Sequence, residues 1–259
     1  MPELPDVELI KRRCEEKIIN KKIVSVYRRD TKVVKPDEKV LSKSLVGHSF
    51  RKILRHGKYM FVRLGKETNL LMHFGITGDV VFYSSNSEEP KHTSLRIDFE
   101  DDSSFSYICV RRLGKVKLLS DINDYISEQS LGKDALEYNK KEFTDFLKNK
   151  RGSIKSALMD QNNIAGIGNI YSDEIMYQAG IYPGKRISDL NEKNIIKIYS
   201  AMKTVLQTAI DSGAEPDKMP DNYLIRRRKE GEHCGICDGK IAKKKISGRT
   251  SYFCTDHQK

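Results

Sequence analysis

No segment of this 259-residue chain approaches the roughly 18 consecutive apolar residues that cross a bilayer. The start, Met-Pro-Glu-Leu-Pro, lacks the basic and then apolar segments of a secretory signal. Both absences give the expectation of an intracellular protein with no membrane partner. Cysteine is sparse, at five residues, and a chain of this length buries a core without disulfide staples. Inside a cell cysteines stay reduced, so clustered ones suggest a metal site. There is no internal repeat and no long low-complexity tract. Acidic residues are outnumbered, 36 against 47 Lys and Arg, for a formal net charge of +11. That surplus favours polyanions, nucleic acid ahead of an acidic membrane, although an ordinary protein with a basic surface shares the composition.

The charge that is present is unevenly placed. Residues 223–259 hold ten Lys or Arg against four Asp or Glu, which is more than half of the net charge. The runs Arg226-Arg227-Arg228-Lys229 and Lys243-Lys244-Lys245 bracket cysteines, which predicts an ordered basic element rather than a solvated tail. Upstream, Val7, Ile10, Cys14 and Ile18 recur at helical spacing and predict an amphipathic helix over 5–18. Short β-type runs follow at Ile23–Tyr27, Tyr59–Leu64, Leu70–Phe74, Val80–Tyr83, Leu95–Phe99, Phe105–Val110 and Val116–Leu118. Many short strands with regular breaks predict a sandwich or barrel, with Glu100-Asp101-Asp102-Ser103 as one hairpin turn. Near residue 121 the pattern turns helical, through Phe143, Phe146 and Leu147, then Ile154 and Leu158, Ile170–Tyr177, and Leu190–Ile210. The expected class is α+β. The expected segments are a β-rich domain over 1–120, a polar linker over 121–139, a helical domain over 140–222 ending in a loop at 211–222, and the basic cysteine segment over 223–259.

Three motifs carry chemistry. Cys234-Gly-Ile-Cys237 and Cys254-Thr-Asp-His257 are two ligand pairs separated by a hairpin-length spacer, with a turn expected at Ser247-Gly248-Arg249. That spacing predicts one structural, tetrahedral zinc ion held by Cys234, Cys237, Cys254 and His257. His233 competes as a ligand but lacks the pair spacing, and Cys14 and Cys109 read as core residues. At the other end, removal of Met1 would leave Pro2 with a secondary amine beside Glu3. An α-amino group titrates near pH ~7.7–8.0 against ~10.4 for lysine, so much more of it is neutral and able to attack a sugar C1′. Glu3 is close enough in sequence to move protons; an ordinary chain end has the same residues. The third motif, Gln161 to Tyr171, places Gly166 and Gly168 just before a helix. It is either a phosphate-binding turn, with Asn169 as a donor, or a packing corner between two helices.

Together, Met1-Pro2-Glu3-Leu4-Pro5-Asp6-Val7-Glu8, the Gln161–Tyr171 turn, and Gly248-Arg249-Thr-Ser-Tyr-Phe-Cys254 closely resemble formamidopyrimidine-DNA glycosylase, in the wider group that includes endonuclease VIII. The resemblance spans nearly the whole chain. It implies an N-terminal β-sandwich with flanking helices, a helix–two-turn–helix domain and a zinc-finger hairpin. It implies a monomer acting on double-stranded DNA that contains damaged bases or abasic sites, bound in a cleft. The implied activity is that of a bifunctional glycosylase and abasic-site lyase in base excision repair, with a Schiff base on Pro2 and β,δ-elimination. By the same resemblance Glu3 opens the sugar, Lys58 is a catalytic-cleft lysine, and Lys155, Asn169 and Arg249 contact phosphate.

A base inside the stack must be flipped out before it is cut, and side chains fill the gap. The resemblance places Ile76, Arg111 and Leu113 in that role, where the family has Met, Arg and Phe. Further departures are Asp6 for Glu and His257 for a fourth Cys. The family's longer glycine-rich loop, which closes over 8-oxoguanine, is short here between Gly213 and Cys234 and ends in the Arg226–Lys229 run, a candidate for phosphate contacts. Two alternatives therefore stand beside the main expectation. One is an endonuclease VIII-like preference for oxidised pyrimidines or hydantoins; the other is a non-catalytic damage-binding protein of the same fold.

Overall fold

Helix α1 (Leu4–Ile18) forms on the spacing expected of it, with Pro5 and Asp6 in its first turn and Lys17 in its last. Its stripe of Val7, Ile10, Cys14 and Ile18 is buried. The computed structural model describes residues 1–65 and 67–259. They divide into two units, one of Met1–Pro2 with Asp6–Ser130, the other of Glu3–Pro5 with Leu131–Lys259.

The first unit is a sandwich of two four-stranded antiparallel sheets. One has the order β1-β6-β7-β5 and the other β2-β3-β4-β8. The strands are β1 (Ile23–Arg28), β2 (Lys52–His56), β3 (Tyr59–Arg63), β4 (Asn69–His73), β5 (Gly78–Ser84), β6 (Thr93–Phe99), β7 (Ser103–Cys109) and β8 (Lys115–Leu119). Leu95, Ile97, Phe105 and Tyr107 from one sheet share a core with Met60, Val62, Leu70, Met72 and Val116 from the other. Each such side chain stabilises the fold by about 1.5–3 kcal/mol when fully buried. The sequence patterns had not pointed to β2 or to α2 (Glu38–Leu45), which Asp37 caps through Val40 N at 2.8 Å.

The segment expected as a polar linker, residues 121–139, contains a helix. Residues 122–128 form α3 (Ile122–Glu128), capped by Asp121, and its Ile122 and Tyr125 pack on Phe61 and Leu71 of the second sheet. The apolar residues of this helix are few, but they sit at i and i+3 and have a partner face.

The second unit is helical: α4 (Lys140–Lys148), α5 (Ile154–Met159), α6 (Asn169–Ala179) and α7 (Glu192–Asp211). Two short parallel strands, β9 (Lys133–Asp134) and β10 (Ile164–Ala165), pair the segment before α4 with the segment before α6. The hairpin β11 (Ile241–Ile246) and β12 (Arg249–Cys254) turns at Ser247-Gly248, both with positive φ. Leu4 belongs to this unit's core. Among the described residues no helix is long and apolar enough to cross a membrane.

Candidate functional site: a buried glutamate, a charged hub and a thiol–imidazole cluster

Helix α6 begins at Gly168, which has no side chain with which to cap it. Glu3 does so from the far end of the sequence. Its Oε2 accepts from Gly168 N at 2.6 Å and Tyr171 N at 3.3 Å, and its Oε1 accepts from Ile170 N at 2.9 Å. Leu4 N donates to Gly166 O at 3.0 Å. The two glycines are needed for this approach. A Cβ on Gly168 would lie 2.4 Å from Glu3 Cδ, and one on Gly166, at φ +115°, would lie 2.6 Å from Leu4 Cδ1. The turn is thus a close-packing corner for residues 3–4, and a helix N-terminus, where a carboxylate is favoured, receives the Glu3 side chain. Pro2, half-buried, is peptide-bonded to this fixed residue.

Lys155 is not at the surface. Its side chain is fully buried, with Nζ 2.5 Å from Asp173 Oδ1 and 2.5 Å from Ser251 Oγ. Burial pushes the lysine below its ordinary range, and Asp173 opposes that. Asp173, equally buried, also accepts from Arg228 Nη2 at 2.5 Å and from Tyr252 N at 3.1 Å. One carboxylate therefore joins α5, the basic run and β12. In this arrangement the Lys155 ammonium is enclosed by protein partners and is not exposed at the surface. Asn169 is also committed: its Nδ2 donates to Thr250 O at 3.0 Å, while buried Oδ1 has no partner among the described residues. Arg249, next to Thr250, is exposed at the hairpin.

Three residues of the Arg226–Lys229 run have partners within the protein. Arg226 Nη1 donates to the carbonyls of Asp217 (3.0 Å) and Met219 (2.8 Å), and Arg227 Nε to that of Asp221 (3.2 Å). Arg228 stacks over Tyr252 with its guanidinium carbon 4.9 Å from the ring centre. The 3-10 turn Leu224–Arg227 is held from beneath by buried Glu174. Its Oε1 accepts from Leu224 N at 3.1 Å and its Oε2 from Ile225 N at 2.7 Å. Burial raises Glu174 to about 7, against the opposing bonds from Gln178, Ile225 and Leu224.

In the first unit Lys58 follows Gly57 (φ +56°) in the tight turn between β2 and β3, and is half-buried. His73, on β4, lies with its ring centre 4.7 Å from that of Tyr59. Burial, aided by the charges of Lys115 and Lys58, lowers His73 to about 4, so the ring is neutral. The resemblance had not singled out His73; its position opposite Tyr59 in the β3–β4 register is what exposes it to Lys58. Ile76 and the Arg111–Leu113 segment sit on two loops that meet: Arg111 N donates to Thr77 Oγ1 at 2.9 Å, and a Cβ on Gly75 would lie 2.5 Å from Leu113 C and O. Arg111 is exposed, Leu113 is 48% exposed and Ile76 is half-buried.

The four ligand atoms of Cys234, Cys237, Cys254 and His257 lie within 4.8 Å of one another. His257 Nδ1 is 3.4 Å from Cys234 Sγ, and Cys237 Sγ is 3.5 Å from Cys254 Sγ. The other imidazole nitrogen, Nε2, donates to Tyr177 O at 3.0 Å, which fixes the ring with Nδ1 facing the sulfurs. Tyr177 accepts from Gly235 N at 2.8 Å, leaving its hydroxyl to donate to Cys234 Sγ at 2.9 Å. Convergent soft donors with an oriented imidazole form a cluster able to bind a metal ion. His233 instead bridges to Lys240 through the backbone.

Comparison with known proteins matches the formamidopyrimidine-DNA glycosylase N-terminal domain over residues 1–116 and the H2TH domain of that enzyme over residues 131–219. The formamidopyrimidine-DNA glycosylase of Streptococcus mutans is 31% identical over 274 residues, covering 100% of both chains. That of Listeria innocua is 31% identical over 276 residues, again covering 100% of both. Among solved structures, wild-type Lactococcus lactis Fpg with DNA containing N7-benzyl-Fapy-dG aligns with a TM-score of 0.91 at 29% identity, covering 100% of each chain. A complex of the same protein with abasic-site DNA aligns with a TM-score of 0.90 at 29% identity and 99% coverage of each. With two domains matched in order and full-length relatives above 30% identity, this chain belongs to the formamidopyrimidine-DNA glycosylase family.

Proposed function

We propose that this protein is a bifunctional DNA glycosylase and abasic-site lyase of base excision repair. The observation that carries the reading is Glu3, sealed against the start of α6 by three backbone N–H groups, with Pro2, whose nitrogen becomes a secondary amine once Met1 is removed, next to it. With Met1 removed, the Pro2 nitrogen attacks C1′ and the bond from C1′ to the damaged base breaks. The sugar ring opens to an iminium, with Glu3 moving the proton at the ring oxygen. Loss of a C2′ proton then expels the 3′ phosphate, a second elimination expels the 5′ phosphate, and water releases the proline. Lys58 acts in the same catalytic region. Arg249 contacts phosphate, and Asn169 joins it by exchanging Thr250 O for a phosphate oxygen. Lys155 serves at one remove, as the buried cation that helps Asp173 hold β12 in place. Ile76, Arg111 and Leu113 fill the gap left by the flipped nucleotide.

The chain divides functionally into a catalytic domain over 1–120, a segment over 121–139, a DNA-binding domain over 140–222 and a finger over 223–259. Zinc is the metal that suits the finger, since a set of three sulfurs and one imidazole nitrogen fills a tetrahedral shell. Bound there by Cys234, Cys237, Cys254 and His257, it would fold the finger and leave no open position for catalysis.

The deciding experiment is borohydride trapping on abasic-site DNA, with the N-terminus checked by mass spectrometry. A covalent adduct is expected from protein lacking Met1, and Pro2→Gly should greatly weaken it. An undiminished adduct from protein that keeps Met1 would falsify the assignment of Pro2.

A preference for ring-opened purines, hydantoins or oxidised pyrimidines over 8-oxoguanine is supported by the Leu224–Arg227 turn. That segment is pinned by Glu174, and Arg226 and Arg227 are tied to backbone carbonyls, so it is poorly suited to close over a purine. Single-turnover excision on duplexes differing only in the lesion tests this. A clear preference for 8-oxoguanine opposite cytosine would show that another segment caps the base.

A further inference from the structure

Between Arg111 and Leu113 stands a residue in an unfavourable backbone conformation. Arg112 has φ +53°, a left-handed geometry that a side chain with a Cβ disfavours. Two contacts hold it there. Its backbone N donates to Cys109 O at 3.1 Å, closing the turn that ends β7. Its guanidinium grips Asp30 with two bonds, Nε to Oδ2 at 2.6 Å and Nη2 to Oδ1 at 3.0 Å. Asp30 is itself anchored. Its Oδ1 accepts from Lys32 N at 2.8 Å and Val33 N at 3.2 Å, and its own N donates to Ser94 O at 3.2 Å. The Arg112 guanidinium in turn holds the Asp30 carboxyl below its ordinary range.

The neighbours on either side are exposed. Leu113 is 48% exposed, and Arg111, also exposed, is tethered through its backbone to Thr77, beside Ile76. The Arg112 side chain is exposed as well, but its guanidinium is engaged by Asp30.

We infer that the Arg112–Asp30 ion pair is a positioning clamp, which holds residue 112 left-handed so that Arg111 and Leu113 are presented together with Ile76 for entry into the base stack. The inference rests on the proposed gap-filling role of those three residues. The competing idea is that Arg112 is itself a phosphate ligand. The two ideas differ in sign for Asp30→Asn. A clamp loses its anchor and slows base flipping, whereas a phosphate ligand is released from a competing carboxylate and binds DNA more tightly.

The test uses the full-length, metal-loaded protein and two duplexes, one with a ring-opened purine and one with a preformed abasic site. A 2-aminopurine beside the lesion reports unstacking. Asp30→Asn and Arg112→Ala should each slow unstacking and base excision on the order of tenfold. Strand cleavage at the abasic site should change by no more than about twofold, because there is no base to unstack. Combining the two changes should add little to either alone, since both remove one interaction. Arg112→Gly should retain more activity than Arg112→Ala, because glycine adopts positive φ freely. Tighter DNA binding and a steeper salt dependence in Asp30→Asn would overturn the clamp in favour of a phosphate ligand. Equal losses on both duplexes with a lowered melting temperature would reduce the pair to a structural role and also overturn it. Arg111→Ala and Leu113→Ala separate the two levels. If they leave unstacking unchanged, the gap-filling reading and the clamp fall together; if they slow it and Asp30→Asn does not, the clamp alone falls.

Discussion

His73 in the sheet unit and Glu174 in the helical unit are both displaced by burial, and in opposite directions. His73 falls from 6.5 to about 4, and Glu174 rises from 4.5 to about 7. The cause is common, since burial disfavours whichever form carries charge. The consequence for stability is not. Between pH 6.5 and about 4 the unfolded chain binds a proton that folded His73 refuses, so acidification removes stability from the sheet unit. Between pH 4.5 and about 7 the fold keeps a proton on Glu174 that the unfolded chain releases, so raising the pH through that window removes stability from the helical unit. The two units are thus built on different terms. The sheet unit keeps a neutral ring beside Lys58 and Lys115 and displays its DNA-facing candidates on exposed loops. The helical unit buries charge against charge.

The helical half breaks most completely at Gly168. A methyl group there would lie 2.4 Å from the Glu3 carboxyl carbon, so the carboxylate must leave the start of α6. Gly168→Ala should lower both base excision and borohydride trapping on the order of 100-fold or more, by misplacing a reacting group. Near-normal rates with the sheet and helix content unchanged would mean that the position of Glu3 does not matter to the chemistry. The next largest effect is expected at Asp173. Asp173→Asn leaves buried Lys155 and Arg228 with no carboxylate, which typically costs about 3–5 kcal/mol. Chemical denaturation should show that loss, with hydrogen exchange rising first in β12 and α6. A change within ~0.5 kcal/mol, the range of an ordinary surface substitution, would show that the hub is not needed for the fold.

The opposite pH responses can be sharpened directly. The shifts of His73 and Glu174 each correspond to about 3 kcal/mol across their windows. Hydrogen exchange followed separately in the two units should show protection in β3 and β4 falling as pH drops from 7 toward 4.5. Protection in α6 and the Leu224–Arg227 turn should fall as pH rises over the same interval. His73→Phe should flatten the first trend and Glu174→Gln the second. Parallel trends in both units would contradict the assignment of the two groups.

Much of this arrangement is legible in the amino-acid sequence. The ligand pairs Cys234/Cys237 and Cys254/His257 lie in local spacing that geometry can only bring together, and the α1 stripe and most sandwich strands follow their apolar periods. Helix α3 was missed because its three apolar residues are set among polar ones, and only the face of Phe61 and Leu71 makes them a stripe. The use of Gly166 and Gly168 was undecidable locally, because the partner they admit is Glu3, more than 160 residues away in the chain. The burial of Lys155 against Asp173 was illegible for a related reason. Helix α6 is buried nearly all round, including Asp173 and Glu174, so the usual reading of charge as solvent-facing does not hold there.

The smallest effect is expected at Arg249, and it tests whether the hairpin is a ligand or only a strut. Arg249 is exposed and, among the described residues, takes no part in the buried hub, while its neighbours Thr250, Ser251 and Tyr252 are all bound, to Asn169, Lys155 and Asp173. A side chain in that position is held at a fixed place by its neighbours without helping to hold them. Removing it should leave the fold intact. If it contacts one phosphate, Arg249→Ala should reduce the magnitude of the slope of log affinity against log salt by about one, and weaken binding similarly across sequences. Each released counterion adds to that slope whatever the base, which separates this effect from any change at the lesion. An unchanged slope with weaker binding would assign Arg249 to the hairpin itself. An unchanged slope with unchanged binding would leave phosphate contact on this face to Asn169 and the exposed lysines Lys243, Lys244 and Lys245 of β11.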